Sequence, residues 1–370
     1  MRNRSKAFLL GLSAAFGVLA SALPAAAEGP EFKVDPSWPK QLPNNWILGQ
    51  IGGMTVDAQD HIWVFQRPRS LNEADRGATL TPPRSKCCAP APSVVEFDAA
   101  GNVVQAWGGP VGFNPDWPES EHGIMVDAKN QVWLTGNSNK DGSLLKFSRD
   151  GKFLAKFGKQ GPITNSQDTT QLGSTASIAL DTQANELFLA DGYGNHRVIV
   201  LDADSLAYKR MWGAYGKPPQ DIKPAPANYN PKAEQFTNPV HCVKIANDGL
   251  VYVCDRTNDR VQVFQKNGTF VKEFAIRPDT RGTGSSYDLA FWPDRNQTYL
   301  IIADGADGEA VIVRRADGKE VGAFGHYGKQ VGQFHNIHQL VTDSKGNVYT
   351  GEVDTGMRVQ KFTPNMAPAK

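Results

Sequence analysis

Short apolar segments recur along the whole chain, and each is rich in branched and aromatic residues and bounded by Gly, Asn or Asp. Segments of this length and composition predict β-strands rather than helices. They form a repeating unit: a strand that ends in Asp or an equivalent residue, a turn, an aromatic-rich strand, and two further strands. The six copies start near IGGMTVDAQDHIWVF, HGIMVDAKNQVWLTG, ASIALDTQANELFLADG, HCVKIANDGLVYVCDR, YDLAFWPDRNQTYLIIADG and HQLVTDSKGNVYTGE.

The fourth strand of the unit closes with an aromatic residue followed by glycine. This pair occurs in AWGG from Ala106, KFGK from Lys156, MWGA from Met211 and AFGH from Ala323, whereas EFAIRP from Glu273 lacks the glycine. Four-stranded units repeated at roughly 40 to 60 residues predict the blades of a β-propeller.

The sixth copy runs out of sequence after Phe362, before a fourth strand can form. The early segment EFKVDPSWP, from Glu31, is free to supply that strand and so remove the open sheet edges. We therefore predict an all-β, six-bladed propeller over about 31–362, closed by an N-terminal strand in the last blade. Two proline-rich segments, 68–92 and 217–238, hold most of the remaining length, and we expect them to cover one face.

The N-terminus has the layout of a secretory signal peptide. Three basic residues precede an apolar run, which ends in an A-x-A site at residues 25–27. We expect cleavage before Glu28, a single propeller domain over 28–370, and secretion, or a periplasmic location in a Gram-negative host. The formal charge is +1, and removal of three of the 39 basic residues against 38 acidic ones leaves about −2. This balance argues against a nucleic-acid partner, and no later segment is apolar enough for stable membrane insertion.

Alignment of the six copies places histidine in one column of the first strand, in blades two, four and six only. Because the first strand of every blade lines the central channel, alternate blades bring His122, His241 and His338 together at one height. Three imidazoles with an open fourth position are typical of catalytic zinc, although copper, iron or nickel also fit such a site. The column reads Gly52, His122, Ala176, His241, a position near Asp288, and His338. The other histidines, which we interpret as ordinary turn, strand or loop residues, are His61, His196, His326 and His335.

Some charged residues recur at the same position of several blades and are therefore interpreted as structural. An aspartate after the second strand favours a turn, and an arginine at the start of the third strand is placed to tie neighbouring blades together. The aspartates are Asp191, Asp255 and Asp304, and the arginines are Arg197, Arg260 and Arg358.

The four cysteines divide into two pairs. Strand pairing about the turn at 247–249 places Cys242 opposite Cys254, where the short Cβ separation suits a disulfide. Cys87 and Cys88 are then left to each other, as a vicinal disulfide or a free pair with a ligand or redox role. Strand alternation sends His241 and Cys242 to opposite faces, so they do not form one reactive unit.

Four stretches resemble, in order and spacing, the catalytic core of peptidyl-α-hydroxyglycine α-amidating lyase, an enzyme of the NHL-repeat propellers. They are HGIMVDAKNQVWLTG, LFLADGYGNHRVIVL, NPVHCVKIANDGLVYVCDRTNDRVQVF and IHQLVTDSKGNVYTGEV, and the resemblance covers 51–362. It implies a six-bladed propeller with a catalytic zinc held by the three histidines of the column. It also implies a catalytic tyrosine at Tyr193 in the DGY motif, and active-site arginines at Arg67 in WVFQRPR and Arg256 in CDRTND.

The sequence departs from the family pattern in two places. The family's structural calcium uses an aspartate just after the third histidine, and here that position is Gln339, which argues against an equivalent Ca²⁺ site because calcium prefers charged oxygen ligands. The loops also differ, including KCCAPAP from Lys86, so the family's substrate specificity does not carry over.

The resemblance implies cleavage of a carbinolamide carbon–nitrogen bond, which releases an amide and glyoxylate. Tyr193 would act as the base where nearby cations favour its phenolate, because an isolated phenol ionises only at about pH 10. Arg67 would be one of these cations, or would bind a substrate carboxylate through two hydrogen bonds. The alternative is that both residues are structural, with Tyr193 packed in a turn and Arg67 in a surface ion pair. Our first hypothesis is an exported metal-dependent lyase acting on a carbinolamide or small α-hydroxy compound. The alternatives are a lactonase-like metal-dependent hydrolase and a non-catalytic NHL binding module.

Overall fold

The computed structural model describes residues 29–110, 112–221, 230 and 232–369. The predicted signal peptide at 1–27 and most of the proline-rich stretch at 222–231 lie outside the described residues. Within the described part, six four-stranded antiparallel sheets follow one another along the chain, and their innermost strands contact each other in a closed ring. The predicted all-β six-bladed propeller is therefore confirmed. No helix in these ranges is long and apolar enough to cross a membrane.

The strands are short and are numbered here in chain order. The strands up to the second blade are β1 (Phe32–Asp35), β2 (Trp46–Ile47), β3 (Gln50–Val56), β4 (Ile62–Arg67), β5 (Ala89–Pro90), β6 (Val94–Phe97), β7 (Val103–Trp107), β8 (Glu121–Val126), β9 (Val132–Gly136), β10 (Ser143–Phe147) and β11 (Phe153–Gly158). The third and fourth blades contain β12 (Thr175–Asp181), β13 (Glu186–Asp191), β14 (Arg197–Asp202), β15 (Tyr208–Trp212), β16 (Val240–Ile245), β17 (Val251–Asp255), β18 (Arg260–Phe264) and β19 (Phe270–Ala275). The remaining strands are β20 (Asp288–Phe291), β21 (Tyr299–Asp304), β22 (Glu309–Arg314), β23 (Glu320–Phe324), β24 (Ile337–Thr342), β25 (Val348–Glu352) and β26 (Val359–Pro364).

Helical structure in the described residues is limited to single turns. These 3₁₀ turns are Pro43–Asn45, Pro68–Ser70, Gly77–Thr79, Ala214–Gly216 and Arg256–Asn258.

The last blade combines both ends of the described chain. Strand β1 pairs antiparallel with β26, with Phe32 opposite Pro364 and Asp35 opposite Lys361, so the sheet order is β1-β26-β25-β24. The other blades are β3-β4-β6-β7, β8 to β11, β12 to β15, β16 to β19 and β20 to β23. In every blade the first strand faces the channel.

The repeated aspartate at the end of the first strand has a clear structural role. One carboxylate oxygen of Asp57 accepts the backbone N–H groups of Gln59 and His61 at 2.9 Å, and the other accepts the indole N–H of Trp63 at 2.9 Å. The carboxylate thus closes the turn and fixes the aromatic residue of the second strand. The same carboxylate–aromatic bond joins Asp127 to Trp133 and Asp343 to Tyr349.

The core is divided among the spaces between neighbouring blades. One cluster packs Trp63 and Phe65 of the first blade against Leu134 and Phe147 of the second, all with exposures of 0%. Five comparable clusters fill the other blade interfaces in the described chain, including the one that joins the last blade to the first. Because buried apolar surface links every blade to both neighbours, the ring holds its inner strands at fixed positions around the channel.

The repeated arginines are structural, as their recurrence indicates. Arg197 is fully buried; its Nε donates to the Asp191 carboxylate at 2.9 Å, and its Nη atoms donate to the carbonyls of Ser166 and Gln171 in the preceding connection. Arg260 pairs in the same way with Asp255, and Arg358 with Glu352. The fifth blade differs because Glu309 occupies the arginine position, and Arg277 from the preceding connection reaches Asp304 instead.

Both predicted cysteine pairs are disulfide-bonded. Cys242 lies directly opposite Cys254 on β16 and β17, with a Cα–Cα distance of 4.8 Å. Cys87 and Cys88 are joined to each other, so the alternative of a free pair is not the state in the structure. Next to them, β5 pairs in parallel with β2, a contact between residues about 43 positions apart that the sequence pattern did not predict.

Candidate metal centre and active site

The three predicted ligands converge in the channel. His122 lies on β8, His241 on β16 and His338 on β24, which are the first strands of the second, fourth and sixth blades, and their exposures are 0%, 0% and 3%. Each lies at a break in strand register, where an extra residue interrupts the pairing with the second strand. Such bulges re-aim a side chain, and here they turn each imidazole into the channel. We call these three residues the channel triad.

Backbone carbonyls of the following blade fix the orientation of each imidazole. The Nδ1 atom of His122 lies 2.8 Å from the carbonyl oxygen of Ala176, and that of His338 lies 3.0 Å from that of Ile51. His241 Nδ1 contacts the Tyr287 carbonyl in the same way. Because a carbonyl only accepts, each Nδ1 carries the proton and each Nε2 keeps a free lone pair.

The free nitrogen atoms point at a common centre. The Nε2 atoms of His241 and His338 are 3.2 Å apart, and the ligand atoms of all three residues lie within 4.8 Å of one another. Burial is the main cause that lowers the pKa of each imidazole well below 6.5; for His122 and His241 the next cause is the neighbouring imidazole of His338, and for His338 it is the Arg67 guanidinium. The triad is therefore neutral. Three neutral imidazoles, each oriented by a hydrogen bond from its Nδ1 to a backbone carbonyl, fit a transition metal such as zinc.

Tyr193 lies directly against the triad. Its hydroxyl is 2.9 Å from His241 Nε2 and 3.1 Å from His122 Nε2. It follows β13 in the DGY motif, where Gly192 lies so close to β16 that a Cβ would come within 2.1 Å of the Val240 carbonyl oxygen. The glycine thus permits the close approach that brings the phenol to the histidines.

Arg67, at the end of β4, is a mostly buried cation whose hydrogen-bond partners are all neutral. Its Nε donates to the Glu121 carbonyl at 2.8 Å, and its two Nη atoms donate to the side-chain oxygens of Gln50 at 3.0 Å and Asn137 at 3.2 Å. Burial lowers the pKa of Arg67, as expected for a cation removed from water. Its positive charge is therefore available to an anionic ligand in the channel.

Arg256 lies on the other side of Tyr193. Its Nη1 donates to the Tyr193 hydroxyl at 3.3 Å, and its Nε donates to the Thr283 carbonyl at 3.0 Å. Its guanidinium also lies over the ring of Tyr287, 4.5 Å from the centroid. The structure thus brings all six predicted histidine, tyrosine and arginine residues together. Sequence reasoning missed Tyr287, which begins the fifth copy but matches no residue type in the other five, and Thr283, which precedes that copy.

The remaining predicted positions contribute no ligand atom to the triad. Gln339 is buried and follows His338 on β24, and Asp288 of the fifth blade forms an ion pair with Lys244, with Nζ 3.0 Å from the carboxylate. The two disulfides do not contribute to the triad.

A second group of metal-capable side chains, which we call the outer group, consists of Asp57, His61 and Glu96. Sequence analysis treated His61 as an ordinary turn residue. Its Nδ1 lies 2.6 Å from the Glu96 carboxylate, which Arg149 also contacts, whereas Asp57 holds the turn and Trp63.

Comparisons with known proteins find distant relatives of two kinds. No family model matches. Peptidyl-glycine alpha-amidating monooxygenase B of Xenopus laevis is 23% identical over 342 residues, which are 90% of this chain and 36% of the relative. Peptidyl-alpha-hydroxyglycine alpha-amidating lyase 1 of Drosophila melanogaster is 25% identical, covering 88% of this chain and 58% of the relative. NHL repeat-containing protein 3 of Homo sapiens is 26% identical, covering 90% and 84%. The chain's homologues therefore include amidating lyases and NHL-repeat proteins.

The chain spans only about a third of the length of the frog monooxygenases it matches. Among solved structures, a streptogramin B lyase superimposes with a TM-score of 0.52 at 13% identity, covering 91% of this chain and 98% of that one. A Bacteroides thetaiotaomicron protein of unknown function gives 0.52 at 14% identity, covering 86% and 70%. These two likenesses concern the fold alone.

Proposed function

We propose that the protein is a zinc-dependent lyase that cleaves the carbon–nitrogen bond of a carbinolamide or a related small α-hydroxy compound. The observation that carries this proposal is the Tyr193 hydroxyl, which lies 2.9 Å and 3.1 Å from the Nε2 atoms of two triad histidines. A site with three nitrogen ligands and an acid–base group at the open position is suited to catalysis rather than to structure alone. The homology to amidating lyases supports the same reaction class.

In this proposal the two arginines have different roles. Arg67, which has three neutral partners, binds a substrate carboxylate and orients the substrate. Arg256, whose Nη1 donates to the Tyr193 hydroxyl, orients that oxygen toward the reacting proton. A metal bound by the triad would supply Lewis-acid stabilisation of the negative charge that develops on the substrate hydroxyl oxygen.

Tyr193 then moves a single proton. Its phenolate removes the proton from the substrate hydroxyl, the oxygen electron pair forms the aldehyde C=O, and the carbon–nitrogen bond breaks. The bonding pair leaves with the amide nitrogen, which takes the proton from Tyr193. For an acylated hydroxyglycine the products are a primary amide and glyoxylate, and Tyr193 returns to its starting form.

The experiment is metal analysis of the purified protein followed by an assay of α-hydroxyhippurate cleavage, with and without chelator. We expect about one zinc per chain and benzamide and glyoxylate as products, with activity lost on chelation and restored by zinc. Metal-free protein, or His241→Ala protein with unchanged metal content, would contradict the site.

Two other functions are outcomes of the same assay. Activity on a lactone but not on the hydroxyglycine analogue would favour a metal-dependent hydrolase. Bound metal with no activity on either substrate would favour a non-catalytic binding module, a reading motivated by the match to NHL repeat-containing protein 3 over 84% of its length.

We also propose that residues 1–27 are a signal peptide and that the exported chain from Glu28 is a single propeller domain. The two disulfides support an oxidising compartment. Mass spectrometry of the secreted or periplasmic protein would test this, since a mature N-terminus other than Glu28, or retention in the cytosol, contradicts it.

A further inference from the structure

Tyr287 begins the fifth copy of the repeating unit, immediately before β20, and is 2% exposed. Its backbone carbonyl accepts the Nδ1 proton of His241, so it already contributes to the orientation of one triad residue. Its ring packs beneath Gly305, where a Cβ would come within 2.7 Å of the Tyr287 Cζ atom. The ring therefore has a fixed position beside the metal centre.

The side chain of Tyr287 also supports Arg256. The Arg256 Cζ atom lies 4.5 Å from the centroid of the Tyr287 ring, within the range of a cation–π interaction. The Tyr287 hydroxyl donates to Thr283 Oγ1 at 2.6 Å, and the carbonyl of the same Thr283 accepts Arg256 Nε at 3.0 Å. The guanidinium is thus held on its face by an aromatic ring and on its edge by a carbonyl.

The contacts with Tyr287 and Thr283 determine the direction in which the Nη1 atom of Arg256 points. The described partners of its guanidinium are a carbonyl, a phenol and two aromatic rings, with the Tyr193 ring 5.8 Å away. A flexible arginine without a carboxylate partner loses its orientation when such contacts are removed, because its side chain has many accessible rotamers. With them in place, Nη1 stays 3.3 Å from the Tyr193 hydroxyl.

We propose that Tyr287 and Thr283 are positioning residues that hold Arg256 against Tyr193. This inference rests on the proposed function, since it assigns a purpose to the orientation of Arg256 in that reaction. Neither residue contacts substrate in this scheme; both act through Arg256.

The first test is a double-mutant cycle between Tyr287 and Arg256, measured as kcat and KM for α-hydroxyhippurate. Tyr287→Phe keeps the ring and removes only the hydroxyl, so we expect a loss of a few-fold in kcat, and Tyr287→Leu should lose about tenfold. In an Arg256→Ala background both substitutions should have no further effect. Full additivity of the two losses would overturn the proposal, because a general structural role acts independently of Arg256.

Two further variants serve as rescue and control. Thr283→Val should reproduce the Tyr287→Phe loss, and Thr283→Ser, which keeps the hydroxyl, should retain wild-type kcat. Tyr252 is a matched control: it is 1% exposed, its hydroxyl accepts Arg315 Nε at 2.9 Å, and Arg315 lies over its ring, but none of its described side-chain contacts is with the channel triad. Tyr252→Phe should leave kcat unchanged, and a loss equal to that of Tyr287→Phe would contradict a specific role.

The second test does not depend on activity. In protein labelled with ¹⁵N-arginine, the Arg256 Nε–H signal is assigned by its absence in Arg256→Lys protein, and its hydrogen exchange is measured. We expect exchange at least about threefold faster in Tyr287→Leu and in Tyr287→Phe protein, and unchanged exchange in Tyr252→Phe protein. Unchanged exchange in both Tyr287 variants would overturn the positioning role. If wild-type protein has no lyase activity but these exchange rates rise, the proposed function fails and the positioning of Arg256 stands.

Discussion

Two groups in the described part of the chain each bring three metal-capable side chains within 4.8 Å: the channel triad and the outer group. In the channel triad every Nδ1 donates to a backbone carbonyl, and this leaves every Nε2 directed into the channel. In the outer group the oxygens of Asp57 already hold a turn and an indole, and Glu96 already holds His61 and Arg149. A metal would have to displace these partners and face an adjacent guanidinium. Proximity of ligand atoms is therefore not sufficient; lone pairs that no structural contact occupies distinguish the channel triad from the outer group.

The largest expected effect separates the two groups directly. His241→Ala removes one of the three nitrogen atoms proposed as ligands, and we expect metal affinity to fall by more than about 100-fold, beyond the loss typical of residues that only orient a ligand. His61→Ala, the matched change in the outer group, should leave metal content and affinity unchanged. Metal per chain after dialysis and calorimetric titration measure both. Equal losses in the two variants would remove the distinction.

The next prediction separates catalytic activity at the triad from metal binding by the triad. Tyr193→Phe removes the hydroxyl that lies against two triad histidines, and we expect activity to fall by about 10²- to 10⁴-fold because the acid–base group is lost. Metal content should stay at the wild-type level. Tyr208→Phe, at a surface tyrosine, is the control and should keep full activity. Loss of metal from the Tyr193 variant would make the hydroxyl a ligand rather than a base.

The cysteines offer a comparison within a single strand, since His241 and Cys242 are adjacent on β16. The Cys242–Cys254 disulfide closes a loop with a sequence separation of 12, and its replacement by two serines should lower the free energy of unfolding by about 3 kcal/mol. The Cys87–Cys88 disulfide closes almost no loop, so its replacement by two serines should lower the free energy of unfolding by only about 1 kcal/mol. Guanidinium denaturation measures both. Loss of metal from either folded double variant would tie a disulfide to the site.

The smallest effect concerns pH. Burial lowers the pKa of each triad histidine well below 6.5, whereas in the unfolded chain each titrates at about 6.5. Below about pH 6.5 the unfolded state therefore binds protons that the folded metal-free state does not, and stability falls as pH falls. Each histidine contributes a slope of up to about 1.4 kcal/mol per pH unit.

Thermal unfolding of chelated protein between pH 7.5 and 5 tests this. His338→Gln, which removes one such proton, should show a shallower fall than wild type. An identical pH dependence in the two proteins would contradict the lowering of the His338 pKa by burial.

The chain's pattern was sufficient for several parts of the fold. Six copies of one strand unit indicated six blades, and histidines at one register position in alternate copies indicated the channel triad, because first strands converge on one axis. Hairpin register alone placed Cys242 opposite Cys254. These features depend on local period and short turns, which a sequence carries explicitly.

Other parts of the site depended on the closed ring. His338 Nδ1 binds the Ile51 carbonyl 287 positions away, and Arg256 meets Tyr193 at a separation of 63. The register breaks at the imidazoles, and the contacts of Tyr287 and Thr283, are not marked by any one residue type in the sequence. The sequence by itself therefore determined which residues line the channel. The packing of one blade against the next decided which nitrogen atoms of the triad are free and which arginine contacts Tyr193, because those contacts exist only after the ring closes.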